Sequence, residues 1–337
     1  MRASYEPKLV VLGGGTGSFT LLQGLKELTS YITAIVNMSD NGGSTGVLRD
    51  ELGVLPPGDI RQCLVALSDN PEVRNLFSYR FADGRFEGQS LGNIILSGLE
   101  LQHGSFEEAV RIAGEVLHIR GRVLPVTLKK HTLYMNDGDK VVRGQAAVSK
   151  HYIANKDPEL WQNPTPAATP EVIRAIHTAD IVVIAPGNLY ASLLPLLMVE
   201  GIVGVLQETK ATIVQVTNLV NKPEHTKDWH VVDYVRAIER VVGKGVIDHV
   251  LYNTQGISDE LLQRYAADGE FPVRTDPELF AELSPIHIVG APLVSDVFAR
   301  QDAADKEVRR TLIRHDAKQV AAELKNLLNP TKRPKEA

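Results

Sequence analysis

KLVVLGGGTGS, residues 8–18, runs from an apolar stretch through a glycine cluster into a polar helix start. Residues 8–12 are short, apolar and rich in β-branched side chains, and glycines bound them, which predicts a buried strand. Gly13, Gly14 and Gly15 turn the chain. Beyond Thr16, apolar Phe19, Leu22, Leu25 and Leu28 recur every third residue, close to the helical period. Strand, glycine turn and helix start together make a phosphate cradle. Glycines carry no Cβ, so backbone N–H groups can approach an anion, and a helix N-terminus adds about half a positive charge. Gly13, Gly14, Gly15, Thr16 and Gly17 are therefore candidate ligand contacts. The spacing Gly13-x-Gly15-x-Gly17 fits neither the dinucleotide fingerprint nor a P-loop. A tight turn in any doubly wound domain is the bland alternative, but the first βα turn is where such folds bind phosphate, which favours the functional reading.

The stretch that follows repeats the pattern. Residues 31–38, YITAIVNM, read as a second buried strand that runs into Ser39-Asp40-Asn41-Gly42-Gly43-Ser44-Thr45-Gly46. Ligands of open α/β sheets lie outside the carboxyl ends of strands, and two glycine-rich polar loops at neighbouring ends are more specific than one. Asp40, Asn41, Gly42, Gly43 and Ser44 join the candidates. Pro56-Pro57-Gly58-Asp59-Ile60-Arg61 opens the next helix, residues 60–67. There Asp59 is either an N-cap or, with Asp40, half of a Mg²⁺ site. Arg61 beside it suits phosphate oxygens. Ser90 and Asn93 lie in a third glycine turn before a helix at 94–101, with a simple cap as the alternative for Asn93. Ser105 and Glu108 form a capping box for a helix over 105–117.

From residue 122 the pattern changes to short strands, with a hairpin turn at Asn136-Asp137-Gly138-Asp139 and a return strand over 140–148. We read a small antiparallel excursion. The α/β alternation resumes at residue 170. A strand over 180–185 ends in Pro186-Gly187-Asn188-Leu189, a fourth anion-friendly terminus, and another strand end places Asn218. A final helix is expected over about 306–328, and residues 329–337 read as a disordered tail. The fold class is α/β, a doubly wound, mostly parallel Rossmann-like sheet with a small antiparallel excursion. A single domain covers residues 1–328, with a helical insertion at about 60–118 and the β excursion at about 122–150.

Composition narrows the chemistry. The chain has 337 residues, 43% hydrophobic and 23% charged, enough for a large core. A net charge of −5 argues against a general nucleic-acid binder. The single cysteine, Cys63, excludes an intramolecular disulfide and reads as core. No secretory leader or membrane-spanning run is visible, so a cytoplasmic protein is expected. The histidines show no H-E-x-x-H spacing and residues 185–188 are not a nucleophile elbow. What remains is binding or transfer of a phosphorylated small molecule, in which positioning and charge neutralisation dominate. NAD is not expected, because only the first βα turn and Asp40 favour it.

The ordered motifs GGGTG, SDNGGSTG with Arg49, PPGDIRQCL, SLGN and APGNLYAS resemble the YvcK/CofD-like family, from residue 8 to about residue 316. Arg314-His315-Asp316 is similar to the C-terminal end of its YvcK-like branch, the gluconeogenesis-factor proteins. The resemblance implies one of two activities. The CofD branch transfers a 2-phospholactyl group from a guanosine-diphosphate-linked donor to a deazaflavin, with Mg²⁺. The YvcK-like branch binds UDP-sugars such as UDP-N-acetylglucosamine and supports cell shape and envelope synthesis on gluconeogenic carbon. It also implies a diphosphate over Gly13–Gly17, metal at Asp40 and Asp59, a nucleotide end at Asn188 and Leu189, and a homodimer. Several positions depart from the family pattern, among them Asn188 in place of a usual serine. Asn41 replaces a usual aspartate, Glu224-His225 replaces Gly-Glu, and Tyr234 stands where a histidine is common.

Overall fold

In a computed structural model of the chain, residues 6–155, 157–296 and 312–328 are described. The first strand, β1 (Leu9–Gly13), and the first helix, α1 (Gly15–Leu25), meet at Gly14. After β2 (Ile32–Val36) come five helices in a row: α2 (Gly43–Leu52), α3 (Gly58–Leu67), α4 (Pro71–Ser78), α5 (Leu91–His103) and α6 (Phe106–Leu117). Then follow β3 (Arg122–Pro125), β4 (Thr132–Asp137), β5 (Lys140–Arg143), α7 (Gln145–Lys150) and β6 (Glu159–Asn163). The second half alternates α8 (Pro170–His177), β7 (Ile181–Ile184), a π turn (Leu189–Leu193) running into α9 (Leu194–Leu197), α10 (Ile202–Glu208) and β8 (Thr212–Val216). It closes with α11 (Val231–Val242), β9 (His249–Asn253), α12 (Asp259–Ala266), β10 (His287–Ala291) and α13 (Ala317–Leu328).

Seven strands form one sheet in the order β10-β9-β8-β7-β1-β2-β3, and every pairing in it is parallel. The chain moves outward from β1 through β2 to β3, then returns to β7 on the other side of β1. The order therefore reverses between β1 and β7, and the crevice of a doubly wound sheet opens at that reversal. β1, β2 and β7 are buried along their whole length, because helices cover both faces of a parallel sheet. On one face Leu21, Leu22 and Leu25 of α1 join Ile60, Cys63 and Leu64 of α3 in the core. Cys63 is fully buried, and burial raises its thiol pKa well above the ordinary value, as fits a core residue.

Three boundaries differ from the sequence reading. Residues 122–125 belong to the main sheet, because β3 pairs in parallel with β2 from Thr33↔Arg122 onward. The excursion is thus the three-stranded antiparallel sheet β5-β4-β6, residues 132–163. The strand expected up to residue 148 stops at Arg143. Gly144 adopts φ +93°, and the alanine-containing stretch after it forms α7 instead. α13 begins at Ala317, while residues 306–311 of the expected final helix and the whole 329–337 tail lie outside the described residues. No helix among the described residues is long and apolar enough to cross a membrane.

Candidate functional site

One cleft of about 1000 Å³ lies at the carboxyl ends of the central strands. The loops after β1, β2, β7 and β8 all contribute to its wall, together with the start of α3, α5 and α7. At its floor the backbone is packed as tightly as glycine allows. A Cβ on Gly17 would lie 1.9 Å from the Pro186 carbonyl oxygen, so the β1 and β7 loops touch there. A Cβ on Gly14 would lie 2.4 Å from an Asp59 carboxylate oxygen. These contacts account for GGGTG where a dinucleotide fingerprint was lacking. The first-turn amides of α1 have no partner inside the helix, and one of them, Gly15 N–H, donates to the Asp59 carboxylate.

Asp59 is therefore no N-cap: Pro57 takes that position, and Asp59 lies in the first turn of α3, facing the cradle. Asp40 is held by the Gly42 N–H at 3.0 Å and by the Thr45 hydroxyl. Arg49 reaches back to the Asp40 carbonyl oxygen. Burial at the cleft floor pushes both carboxyl groups up, and the Asp40 charge adds to the effect on Asp59, whose pKa is raised to about 7. Two like charges brought together in a poorly solvated place disfavour double ionisation. Among the described residues no group of three or more His, Cys, Asp or Glu side chains could hold a metal ion. The Asp40/Asp59 pair nevertheless has the composition that suits Mg²⁺, which binds through one or two carboxylates and takes the rest from phosphate and water.

Arg61 is almost buried, and its Nε donates to Asn93 Oδ1 at 2.9 Å. Asn93 Nδ2 donates to Ser44 Oγ (3.2 Å), and Ser44 Oγ donates to Gln89 Oε1 (2.8 Å). This chain of bonds ties the start of α3, the start of α5 and the second glycine loop into one rigid side of the cleft. Asn93 is thus a cleft residue inside α5, not a cap. On the other side, Gly187 and Asn218 clamp each other: Gly187 N–H donates to Asn218 Oδ1 (3.1 Å) and Asn218 Nδ2 to the Gly187 carbonyl (2.9 Å). Asn188 Oδ1 accepts from Ala191 N–H at 3.2 Å and caps the π turn.

The cleft brings together Gly14, Gly15, Thr16, Gly17, Asp40, Gly42, Gly43, Ser44, Asp59, Arg61, Asn93, Pro186, Gly187, Asn188 and Asn218. Four expected contacts fall outside its wall. Gly13 is the buried end of β1, and its carbonyl accepts from Asn37 N–H. Ser90 is buried, with its N–H on Ser44 Oγ. Leu189 is core. Asn41 points away, and its Oδ1 accepts from Ala146 N–H of α7 at 2.9 Å. Sequence reasoning missed Gln62, Gln145, Ser149, Lys150, Arg264 and Tyr265, all in the wall. Arg314 and His315 are there too, and only the resemblance had hinted at them. Burial pushes the His315 pKa down to about 4, and its Nε2 contacts the Thr217 carbonyl at 3.0 Å. Lys150, Lys222, Arg264 and Arg314 bring cationic side chains to the wall, alongside the acidic Glu224 and Glu270.

Three comparisons agree on the relationship. The profile of the family described as 2-phospho-L-lactate transferase CofD matches residues 9–294. The gluconeogenesis factor of Bacillus subtilis is 37% identical over 328 residues, 96% of this chain and 98% of that protein. The gluconeogenesis factor of Halalkalibacterium halodurans is 36% identical over 320 residues, 94% and 95% of the two chains. A crystal structure of a Bacillus halodurans protein, described in another determination as a member of the UPF0052 family, superposes with a TM-score of 0.86. That structure is 33% identical and covers 95% of this chain and 99% of its own. A parallel sheet with its cleft at the strand reversal, glycine loops on both sides and matches over almost the full length place this chain in the CofD/YvcK family.

Proposed function

We propose that the cleft binds a nucleoside-diphosphate sugar, of the UDP-sugar class, and that the protein acts in the YvcK manner, supporting cell shape and envelope synthesis during growth on gluconeogenic carbon. One observation carries this reading: loops from four parallel strands, far apart in the chain, converge on one cleft at the strand reversal. Helix starts and glycine backbone there suit a diphosphate. The cations of the cleft wall suit the same charge, and the clamp between Gly187 and Asn218 fixes the rim where a base would lie. The relatives' name, gluconeogenesis factor, supports the physiological half of the proposal. Titration calorimetry with UDP-N-acetylglucosamine tests the binding half. Saturable heat with one ligand per chain is expected, and a folded protein that gives no heat at millimolar ligand overturns it.

A second reading is favoured by Asp59. A carboxyl group with a pKa of about 7 beside a phosphate cradle is suited to take a proton from an attacking hydroxyl. The family profile names a transferase. In that reading a divalent cation held by Asp40 would neutralise diphosphate charge. Arg61 would orient the transferred group, Asp59 would accept the proton of the attacking hydroxyl, and nucleoside monophosphate would leave as the diphosphate P–O bond breaks and the new P–O bond forms. Incubation of a nucleoside-diphosphate-linked phospholactyl donor with a deazaflavin acceptor and Mg²⁺ decides it. Phosphodiester product is expected, and its absence with an Asp59-dependent binding signal intact removes this reading and leaves the first.

A further inference from the structure

α7 is the one helix that the antiparallel excursion contributes among the described residues, and it is fastened at both ends to the rim of the cleft. At its start Asn41, just beyond β2, accepts the Ala146 N–H at 2.9 Å. At its end Asn188, just beyond β7, donates from Nδ2 to Ser149 Oγ at 2.9 Å. His225 Nε2 lies 2.8 Å from the Val148 carbonyl, and its Nδ1 lies 3.1 Å from Asn188 Oδ1. β2 and β7 flank β1 in the sheet, so the two fastening points stand two strand spacings apart, roughly 10 Å. A six-residue helix is about 9 Å long. The lengths match, and α7 bridges the loops after β2 and β7 in the wall of the cleft that also holds Gly14–Gly17.

The face it turns to the cleft is polar. Gln145, Ala146, Ser149 and Lys150 line the cleft at helical spacing, while Val148 on the other side is fully buried. Gln145 is half-buried and its amide makes no hydrogen bond among the described residues. A diphosphate seated on the glycine loop would carry its distal substituent under this face. An amide that both donates and accepts, next to a hydroxyl, suits a hydroxyl-rich group.

We propose that α7 is the element by which this chain distinguishes a nucleoside-diphosphate sugar from the bare nucleoside diphosphate, with Gln145 and Ser149 hydrogen-bonding the glycosyl group and Asn41 as the positioning residue that holds the helix in place. This rests on the nucleotide-sugar reading of the cleft. Asn41 is the position where the family pattern has aspartate, and either side chain offers the oxygen that the Ala146 N–H needs.

The test is the ratio of affinities for UDP-N-acetylglucosamine and UDP, measured by calorimetry on the full chain. Gln145→Ala and Ser149→Ala should each lower the ratio about fivefold or more, as expected for one hydrogen bond. Asn41→Ala should lower it comparably, and Asn41→Asp should restore it, a rescue that a general loss of fold would not show. Should Asn41→Ala fail to fold, Gln145→Ala and Ser149→Ala together decide, and the Gln145 amide supports no other bond among the described residues. An unchanged ratio in both Gln145→Ala and Ser149→Ala, or a wild-type ratio near one, overturns the role of α7 and leaves the nucleotide reading standing. A wild-type protein that binds neither probe overturns the nucleotide reading itself.

Discussion

Replacing Asp59 by asparagine removes one of two like charges from the cleft floor while keeping the shape and the oxygen that accepts Gly15 N–H. Burial first, and the Asp40 charge second, raise the Asp59 pKa from 3.8 to about 7. At 1.36 kcal/mol per pH unit the rise is worth at most about 4 kcal/mol. The sign follows from proton counts. Between about pH 4 and pH 7 the folded protein holds a proton that the unfolded chain has released, so stability falls as pH rises through that window and levels off above it. Moving from about pH 5 to about pH 8 covers roughly two of those units, so wild type should lose about 2–3 kcal/mol through this group. Urea unfolding at both pH values should show the Asp59→Asn variant losing that much less, with its advantage greatest at the higher pH. Millimolar Mg²⁺ at the higher pH should then stabilise wild type, because a ion bound only by the native state must do so, and should leave the variant unchanged. Parallel pH dependences for the two proteins would refute the charge-pair argument, and equal Mg²⁺ responses would refute the metal assignment.

Gly17→Ala places a methyl group against the Pro186 carbonyl. It should cost about 1–3 kcal/mol in thermal or urea unfolding and weaken UDP-sugar binding by about tenfold or more. Arg61→Met strips the partner from buried Asn93 and should cost about 3 kcal/mol in urea unfolding, with a matching loss of ligand affinity. Tyr234→Phe removes a buried hydroxyl within reach of Asn221 Oδ1 (2.9 Å) and Thr226 Oγ1 (3.1 Å). It should cost about 1–2 kcal/mol, and hydrogen exchange should quicken in residues 218–230.

What could be read from the sequence was what local patterning encodes. The apolar run before Gly13, the stripe in α1 and the helix over 105–117 were legible because each element signals its own period or cap. The glycine loops were legible for the same reason. Their ligands' surroundings were not. β3 resembled the strands after it, and only its pairing with β2 assigns it to the main sheet. β6, ELWQN, is short and half exposed, so it carries little alternation of its own. α7 follows a strand without a side-chain cap of its own, since its capping oxygen comes from Asn41, 105 residues earlier. Asn41 thus read as a ligand contact, whereas its side chain accepts the Ala146 N–H at the start of α7. Arg264, Tyr265 and Arg314 reach the cleft from parts of the chain with no glycine motif, and no local spacing could announce them.

The sheet order explains why these distant pieces meet. A chain that leaves β1 in one direction and returns to β7 in the other cannot fill the space above the strands between them, so the crevice is a consequence of topology. Topology does not make it narrow. Narrowness comes from Gly17 against Pro186 and Gly14 against Asp59, which bring loop, helix start and carboxylate into contact with no side chain between. In the nucleotide-sugar reading the diphosphate lies above that floor, in the cleft that Asp40 and Asp59 also line. The roof is a separate addition, supplied by a sheet that pairs with no strand of the main one. A floor fixed by packing and a roof hung on a few side-chain hydrogen bonds divide the labour: the first can set what charge is bound, and the second can change what that charge carries without disturbing the fold.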